Sequence, residues 1–438
     1  MGRRSVTAER YRLDHSTRRY GSVVIGGSPL KLFRLTEAGS RVLARIEAGD
    51  AVDESPLVAS LLDAGAAHPV RAADGRPGRF TADDVTVVTP AFGRPPSRRD
   101  GAIVVDDGSD PPIPDATVRL DRNRGPGAAR NAGLGLVTTP LVAFVDADAH
   151  LPDGWLDPLL PHFDDDRVAL VAPRVRSTPG PSVLERYERE HSPLDLGPRP
   201  GRVRAGSRIS YVPTAAVVCR TDAIRTVGGF DESLRFGEDV DIVWRLGEAG
   251  HRVRYEPGSI VSHDARPTWA AWCSQRVGYG SSAAPLSRRH PGALAPLRAS
   301  GWSIGAWASG LFVHPLVGLT ISAGSAAALV RKLPDLPPRT AFGLAWRGNL
   351  AAGTQIAAAT RRVWWPFMVP AALASRRARW GLLLAAVAAR HPVRLVDDVA
   401  YSVGVWRGIV RERTPAPLVP EISSWPGRRW TSRRTAAR

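Results

Sequence analysis

Five short apolar runs, each stopping at a proline or an acid, set the tightest limit on what this chain can fold into. Val85-Thr86-Val87-Val88-Thr89 meets Pro90, Ala102-Ile103-Val104-Val105 meets Asp106-Asp107-Gly108-Ser109, and Thr117-Val118-Arg119-Leu120 meets Asp121. Leu141 to Val145 runs into Asp146-Ala147-Asp148, and Val168 to Ala172 into Pro173. Runs this uniformly apolar read as strands covered on both faces, the habit of parallel sheets. The polar residues at their carboxyl ends then share one edge, where open α/β sheets bind ligands. Phe144-Val145-Asp146-Ala147-Asp148 is the centre of that edge. Strand alternation aims Asp146 and Asp148 the same way, and two hard carboxylates there suit Mg²⁺ or Mn²⁺ bridging a diphosphate. Surface turns also produce Asp-x-Asp, so the pair takes its meaning from its neighbours.

Composition narrows the classes. A chain of 438 residues has room for about two to three domains. Its formal charge of +17 invites a nucleic-acid reading, yet Lys31 and Lys332 are the only lysines. The Ala-, Arg-, Pro- and Gly-rich composition is that of a high-G+C coding bias. The arginines do not cluster with aromatics on a recognisable reading element, so no nucleic-acid partner is expected. They thicken from Arg376 to Arg438, as suits an anionic membrane surface or a solvated tail. Cys219 and Cys273 have no ligand-like spacing, which makes a reducing compartment the expectation. The polar opening residues lack the apolar core of a secretion signal.

Residues 1–82 form a small leading module. Thr36 is the expected N-cap of a helix carrying Ala38, Val42, Leu43 and Ile46 on one face, a second helix spans Pro56 to Ala64, and His68-Pro69-Val70 reads as a strand or wing. The module resembles a trimmed winged helix of the kind that holds peptide substrates where ribosomal peptides are matured; a small helical cap on the next domain is the alternative. Ala72 to Arg79, with Gly75, Pro77 and Gly78, is the linker. Residues 83–297 make the α/β domain and 298–438 a helical region.

Thr89-Pro90, Asp106-Asp107-Gly108-Ser109, Asn123-x-Gly125 with Ala129-Arg130-Asn131, Phe144-x-Asp146-x-Asp148, Gly228-Gly229-Phe230-Asp231 and Gly237-Glu238-Asp239 follow one another in this order. In that order and spacing the chain resembles the family 2 glycosyltransferases. More narrowly, Tyr211-Val212-Pro213-Thr214-Ala215-Ala216, Ser262-His263, and Tyr279 to Leu286 with Arg289-His290-Pro291 resemble the glycosyltransferases of the mycofactocin system. The resemblance implies a GT-A nucleotide-diphospho-sugar transferase fold with a mostly parallel sheet. It also implies inverting, metal-dependent transfer of glucose from UDP-glucose to the peptide-derived redox cofactor premycofactocin, building a short β-linked oligosaccharide. A cell-envelope glycosyltransferase with another acceptor and a sugar-nucleotide-binding pseudoenzyme are the alternatives.

The same resemblance assigns roles. Asp106 recognises the uridine, Thr89 and Pro90 line its slot, and Asp107 supports the turn; without the other motifs Asp106-Asp107 would read as a capping turn. Asp148 ligates Mg²⁺ or Mn²⁺ directly, while Asp146 contacts the ribose or a metal-bound water. Arg130 and Asn131, expected to begin the helix after the Gly-rich turn, meet phosphate or else brace the acidic strand ends. His263 is a further metal or diphosphate ligand or else a satisfied core histidine. Asp239 is the general base and Glu238 positions the acceptor; alone, the pair would be an acidic helix N-terminus, and Asp241 a plain first-turn acid.

Two departures stand out. Gly93 to Gly101 and Asp110 to Ala116 are too short and proline-rich for crossover helices, so part of one sheet face is expected to lack cover. Gln275-Arg276-Val277 does not match the Gln-x-x-Arg-Trp of processive members, which disfavours a polymerising synthase. Farther on, Ala299 to Val330 contains no Asp, Glu, Lys or Arg and is long enough to span a bilayer, though Pro315 interrupts it and a buried helical hairpin is the alternative. Val363 to Ser375 and Trp380 to Ala389 are too short to span and suit interfacial or packed helices, with Trp364-Trp365 at headgroup depth. Membrane association through 299–330, with the catalytic domain on the cytoplasmic side, is the resulting expectation.

Overall fold

In the computed structural model, residues 8–70, 78–96 and 101–423 are described. The leading segment opens with β1 (Glu9–Leu13), β2 (Arg18–Tyr20), β3 (Val23–Gly26) and β4 (Lys31–Arg34). α1 (Glu37–Ala48), β5 (Ala51–Val52), α2 (Pro56–Ala64) and β6 (Ala67–Pro69) follow. β2, β3 and β4 make an antiparallel meander, and β1 lies between β5 and β6. Thr36 Oγ1 accepts the Gly39 N–H at 3.1 Å, and Ser55 caps α2 in the same way, since the first turn of a helix has no internal partners for its N–H groups. Both helices end on glycines with positive φ, Gly49 and Gly65. Leu43, Ile46, Leu61 and Val24 fill the module's core. The helices and the His68-Pro69 strand stand where the sequence places them, whereas β1 to β4 extend the module beyond the sequence reading. Most of the expected linker, residues 71–77, lies outside the described residues.

The central sheet contains β7 (Val85–Ala91), β8 (Ile103–Asp106) and β9 (Val118–Arg119), then, after α3 (Pro126–Leu134), β10 (Leu141–Val145) and β11 (Ala149–His150). β12 (Val168–Ser177), α4 (Val183–His191), β13 (Gly201–Val203), β14 (Ala216–Arg220), α5 (Thr221–Thr226), α6 (Glu238–Glu248) and β15 (Arg252–His263) complete it. The strand order is β11-β15-β12-β14-β10-β7-β8-β9, with β13 beside β15. Pairing is parallel from β9 through β10 and between β12 and β15, but β14 runs antiparallel to both β10 and β12. The α/β expectation holds: β7, β8, β9, β10, β12 and β15 all run the same way, and the sheet is mixed through β14 inside it and the short β11 and β13 beside β15. Ala216-Val217-Val218-Cys219 is as apolar as its neighbours, and an apolar run carries no mark of strand direction.

No helix lies among the described residues between β7 and β8 or between β8 and β9. α3 packs on both β7 and β8. Burial is graded: β10 is buried along its whole length, whereas Ile103 and Val104 are half-buried, as are Val85 and Val87, which pack against the core.

The chain forms two compact units, 1–272 and 273–438. Within the first, the leading module is tied to the sheet by charge: Asp63, at the end of α2, accepts from Arg202 and Arg252 at 3.1 Å each. The boundary between the units falls inside α7 (Trp269–Ser281).

In the second unit α8 (Ala283–Arg289) and β16 (Arg298–Ser300) precede α9 (Gly301–Phe312), α10 (Pro315–Lys332), α11 (Pro338–Ala359), α12 (Trp365–Ala374), α13 (Arg376–Val387) and α14 (Pro392–Glu412); β17 (Glu421–Ser423) pairs with β16. The uncharged run 299–330 is therefore divided at Val313-His314, with Pro315 opening α10, and α9 and α10 fold back as a hairpin. A proline at the first helical position starts a new helix because its missing N–H needs no partner there. Among the described residues no helix is long and apolar enough to cross a membrane. The run folds as a helical hairpin, but an exposed one rather than a buried one: in α9 and α10 only Gly301, Ser303, Ala306, Gly318 and Ala326 are buried.

Candidate active site

The carboxyl ends of β7, β8 and β10 meet at one edge, as parallel register requires: Ala91 pairs with Asp106, and Phe144 with Val88. Thr89 is fully buried on β7, beside the half-buried Pro90. Asp106 is equally buried, and its carboxylate accepts the N–H groups of Ser109 at 2.9 Å and Ile113 at 3.2 Å and the Arg119 guanidinium at 2.7 Å. Burial disfavours its charge, but these donors outweigh that and hold the carboxyl below its ordinary range. Asp107 accepts the N–H groups of Arg124 and Gly125 at 2.7 and 2.8 Å, pinning the turn that feeds α3; burial nonetheless pushes its pKa up. Gly108 has φ of 71°, and a Cβ there would collide with the Arg122 backbone, so the turn needs glycine.

Arg130 and Asn131 sit in the second turn of α3, which starts at Pro126 and so leaves them away from its N-terminal N–H groups. Arg130 is buried and bridges two carboxylates, Asp146 Oδ1 and Glu238 Oε1, at 2.7 Å each. Its guanidinium also lies 5.4 Å from the Phe230 ring centroid. Asn131 accepts the Phe230 N–H and donates to the Phe230 carbonyl, both at 2.8 Å. The two side chains brace the acidic elements around them.

β11 closes the metal edge. Its pairing of Ala149 with His263 sets Asp148 beside the end of β15, and His263 Nε2 lies 3.1 Å from Asp148 Oδ1. Asp146, Asp148 and His263 offer one ligand atom each, all within 4.8 Å of one another, a spacing that fits one divalent ion. Burial opposes charge on both Asp148 and His263; their mutual contact outweighs it, holding the carboxyl far below its usual value and raising the imidazole. Two arginines the sequence reading passed over converge here: Arg266 lies 3.3 Å and Arg94 3.6 Å from Asp148 Oδ2, and Arg94 also reaches Asp264 at 3.3 Å. Arg266 stands three positions after His263, a spacing that was visible in the sequence; Arg94 sits in the loop after β7, where nothing local marked it.

Glu238 and Asp239 open α6 after Gly237, whose φ is 84°. Burial raises both, and the neighbouring Glu238 charge adds to the effect on Asp239, whose pKa is pushed up to about 7. Asp239 accepts only the adjacent Val240 N–H, at 2.8 Å, among the bonds described. Asp241 is buried and paired with Arg245 at 2.7 Å, which in turn donates to the Val227 and Gly229 carbonyls, so that acid supports the Gly228-Gly229 turn.

Residues 96–226 match glycosyl transferase family 2. The "Pre-mycofactocin glycosyltransferase" of Mycobacterium tuberculosis is 41% identical over 92% of this chain and 95% of its own length. The chain belongs to glycosyltransferase family 2. It is also 25% identical over 61% of its length to succinoglycan biosynthesis protein ExoA of Rhizobium meliloti, of which 68% is covered. Among solved structures, a mannosyltransferase from Pyrobaculum calidifontis, in complex with GDP-Man and Mn²⁺, aligns over 76% of this chain and 91% of its own with 16% identity and a TM-score of 0.39. The family match spans Asp106 to Asp148; Thr89, Pro90, Glu238, Asp239 and His263 lie beyond it. The enzyme is thus a glycosyltransferase with its acidic edge, its basic partners and a carboxylate of raised pKa gathered in one unit.

Proposed function

We propose that this glycosyltransferase moves glucose from UDP-glucose onto pre-mycofactocin, inverting the anomeric centre. The reading is carried by the match to the M. tuberculosis enzyme, which runs through the leading module and the helical region as well as the catalytic domain. Asp239 is the base: its raised pKa suits it to accept a hydroxyl proton near neutral pH. As the acceptor oxygen bonds to the anomeric carbon, the bond from that carbon to the diphosphate breaks, the proton passes to Asp239, and UDP leaves. Glu238, locked by Arg130, orients the acceptor, and the same arginine ties it to Asp146 beneath the donor. The Asp106 loop receives the uridine, with Thr89 and Pro90 lining its slot. Asp146, Asp148 and His263 would hold the ion, and the imidazole among them favours Mn²⁺ over Mg²⁺. When bound, the ion neutralises charge growing on the departing diphosphate. Arg94 and Arg266 stand ready to share that charge.

The test is UDP release from UDP-glucose with Mn²⁺, with and without pre-mycofactocin, in the wild-type enzyme and in Asp239→Asn. Acceptor-stimulated release lost in the variant, with UDP binding kept, is the expected result. UDP binding without turnover of any sugar nucleotide would overturn the reading in favour of a sugar-nucleotide-binding protein.

A further inference from the structure

In the second unit, two helical hairpins bring their turns together. The α9–α10 turn carries Phe312-Val313-His314-Pro315-Leu316-Val317, every one exposed, and the α12–α13 turn carries Leu373-Ala374 followed by Arg376 and Arg377. Arg377 donates to the Phe312 carbonyl, and Gly381 of α13 faces the Leu311 side chain, so the two turns form one tip. Phe312 is 44%, Val313 60%, Leu316 63%, Leu373 81% and Trp380 52% exposed. Isolated exposed apolar residues are ordinary, but a contiguous group of this size marks an interaction surface.

Charge selects the occupant. Between Ala299 and Val396 the sole acid is Asp335, while Arg376, Arg377 and Arg379 rim the tip. A second copy of the chain meeting this patch about a two-fold axis would set arginine against arginine. An anionic lipid surface neutralises them and covers the apolar side chains in the same contact. Depth follows from the same residues: arginines next to Leu373 keep their heads at phosphate level while their stems lie along the apolar groups. The two short helices α12 and α13, of 10 and 12 residues, extend about 15 to 18 Å, well under a bilayer's hydrocarbon thickness of about 30 Å.

We propose that this tip docks the enzyme onto one leaflet of a membrane carrying anionic phospholipid headgroups, without crossing it. Binding of the full chain to vesicles of phosphatidylcholine with and without phosphatidylglycerol, followed by co-sedimentation, tests this independently of any sugar or acceptor. Binding is expected only with phosphatidylglycerol and to weaken about tenfold or more in Arg376→Gln/Arg379→Gln. Leu316→Glu/Leu373→Glu should abolish it while helical content and UDP release in solution stay unchanged, both positions being exposed. Equal binding by all variants, no binding to either vesicle, or a soluble dimer that the Leu→Glu pair dissociates would overturn the proposal. None of those outcomes bears on the transfer chemistry, which is read separately.

Discussion

As the proposed base Asp239 would act only when deprotonated, and its pKa is raised, by burial first and by Glu238 second, to about 7. Activity in kcat/KM should therefore climb as pH rises through about 7 and level off above it. A profile flat from about pH 5 to about pH 9, roughly two units to either side of that value, would remove Asp239 from the base role. Arg266 gives a second prediction. It competes for the carboxylate that would ligate the ion, and it is free to pair with diphosphate once that carboxylate is engaged. Arg266→Met should weaken UDP binding in Mn²⁺ about tenfold while Mn²⁺ alone binds at least as tightly, two opposite shifts that calorimetry separates. The acids of this site were legible from the order of their motifs. The arginines were not, because in a chain where nearly every basic residue is arginine no single one announces itself.

At the scale of elements, α6 places the proposed base, Asp239, and the turn before it places α6. Asn131 closes that turn with a pair of 2.8 Å hydrogen bonds to the Phe230 backbone, and Gly229 leaves room for it: a Cβ there would approach Asn131 Oδ1 to 2.6 Å. Asn131→Ala should cost about 1–3 kcal/mol in denaturant unfolding by leaving backbone groups unpaired, and should lower kcat more than it weakens UDP binding. The helix cap Thr36, the helix from Pro56 to Ala64 and the strands β7, β8 and β10 were readable because each signal is local. β14 was missed, and with it the antiparallel insertion between β10 and β12, because strand direction is set by which neighbours pair. Link length alone foresaw that no crossover helix lies among the described residues of either link, and the incomplete burial of Ile103 and Val104 is the physical consequence.

At the scale of the molecule, the leading module is held on the sheet by Asp63, shared among Arg202, Arg252 and, at 3.5 Å, Arg167. Asp63→Ala leaves the nearly buried Arg252 with Asp165 at 2.8 Å, so the fold should survive with docking of the module loosened. If the module presents the acceptor, KM for pre-mycofactocin should rise several-fold, in rough proportion to the loss of a partly screened ion pair, with UDP affinity unchanged. Unchanged acceptor kinetics would assign the module a packing role alone.

The sequence by itself determined the family, the acidic edge, the cap positions and the shortened links, since each is written in residues close together along the chain. Tertiary structure alone decided that Arg130 joins Asp146 to Glu238, which lies 108 residues after the arginine, and that Asp148 meets His263. It decided too that an uncharged run long enough to span a bilayer turns back at Val313-His314. Hydropathy counts residues, whereas a membrane span depends on one helix continuing, and Pro315 with the packing of α9 on α10 ends that continuity.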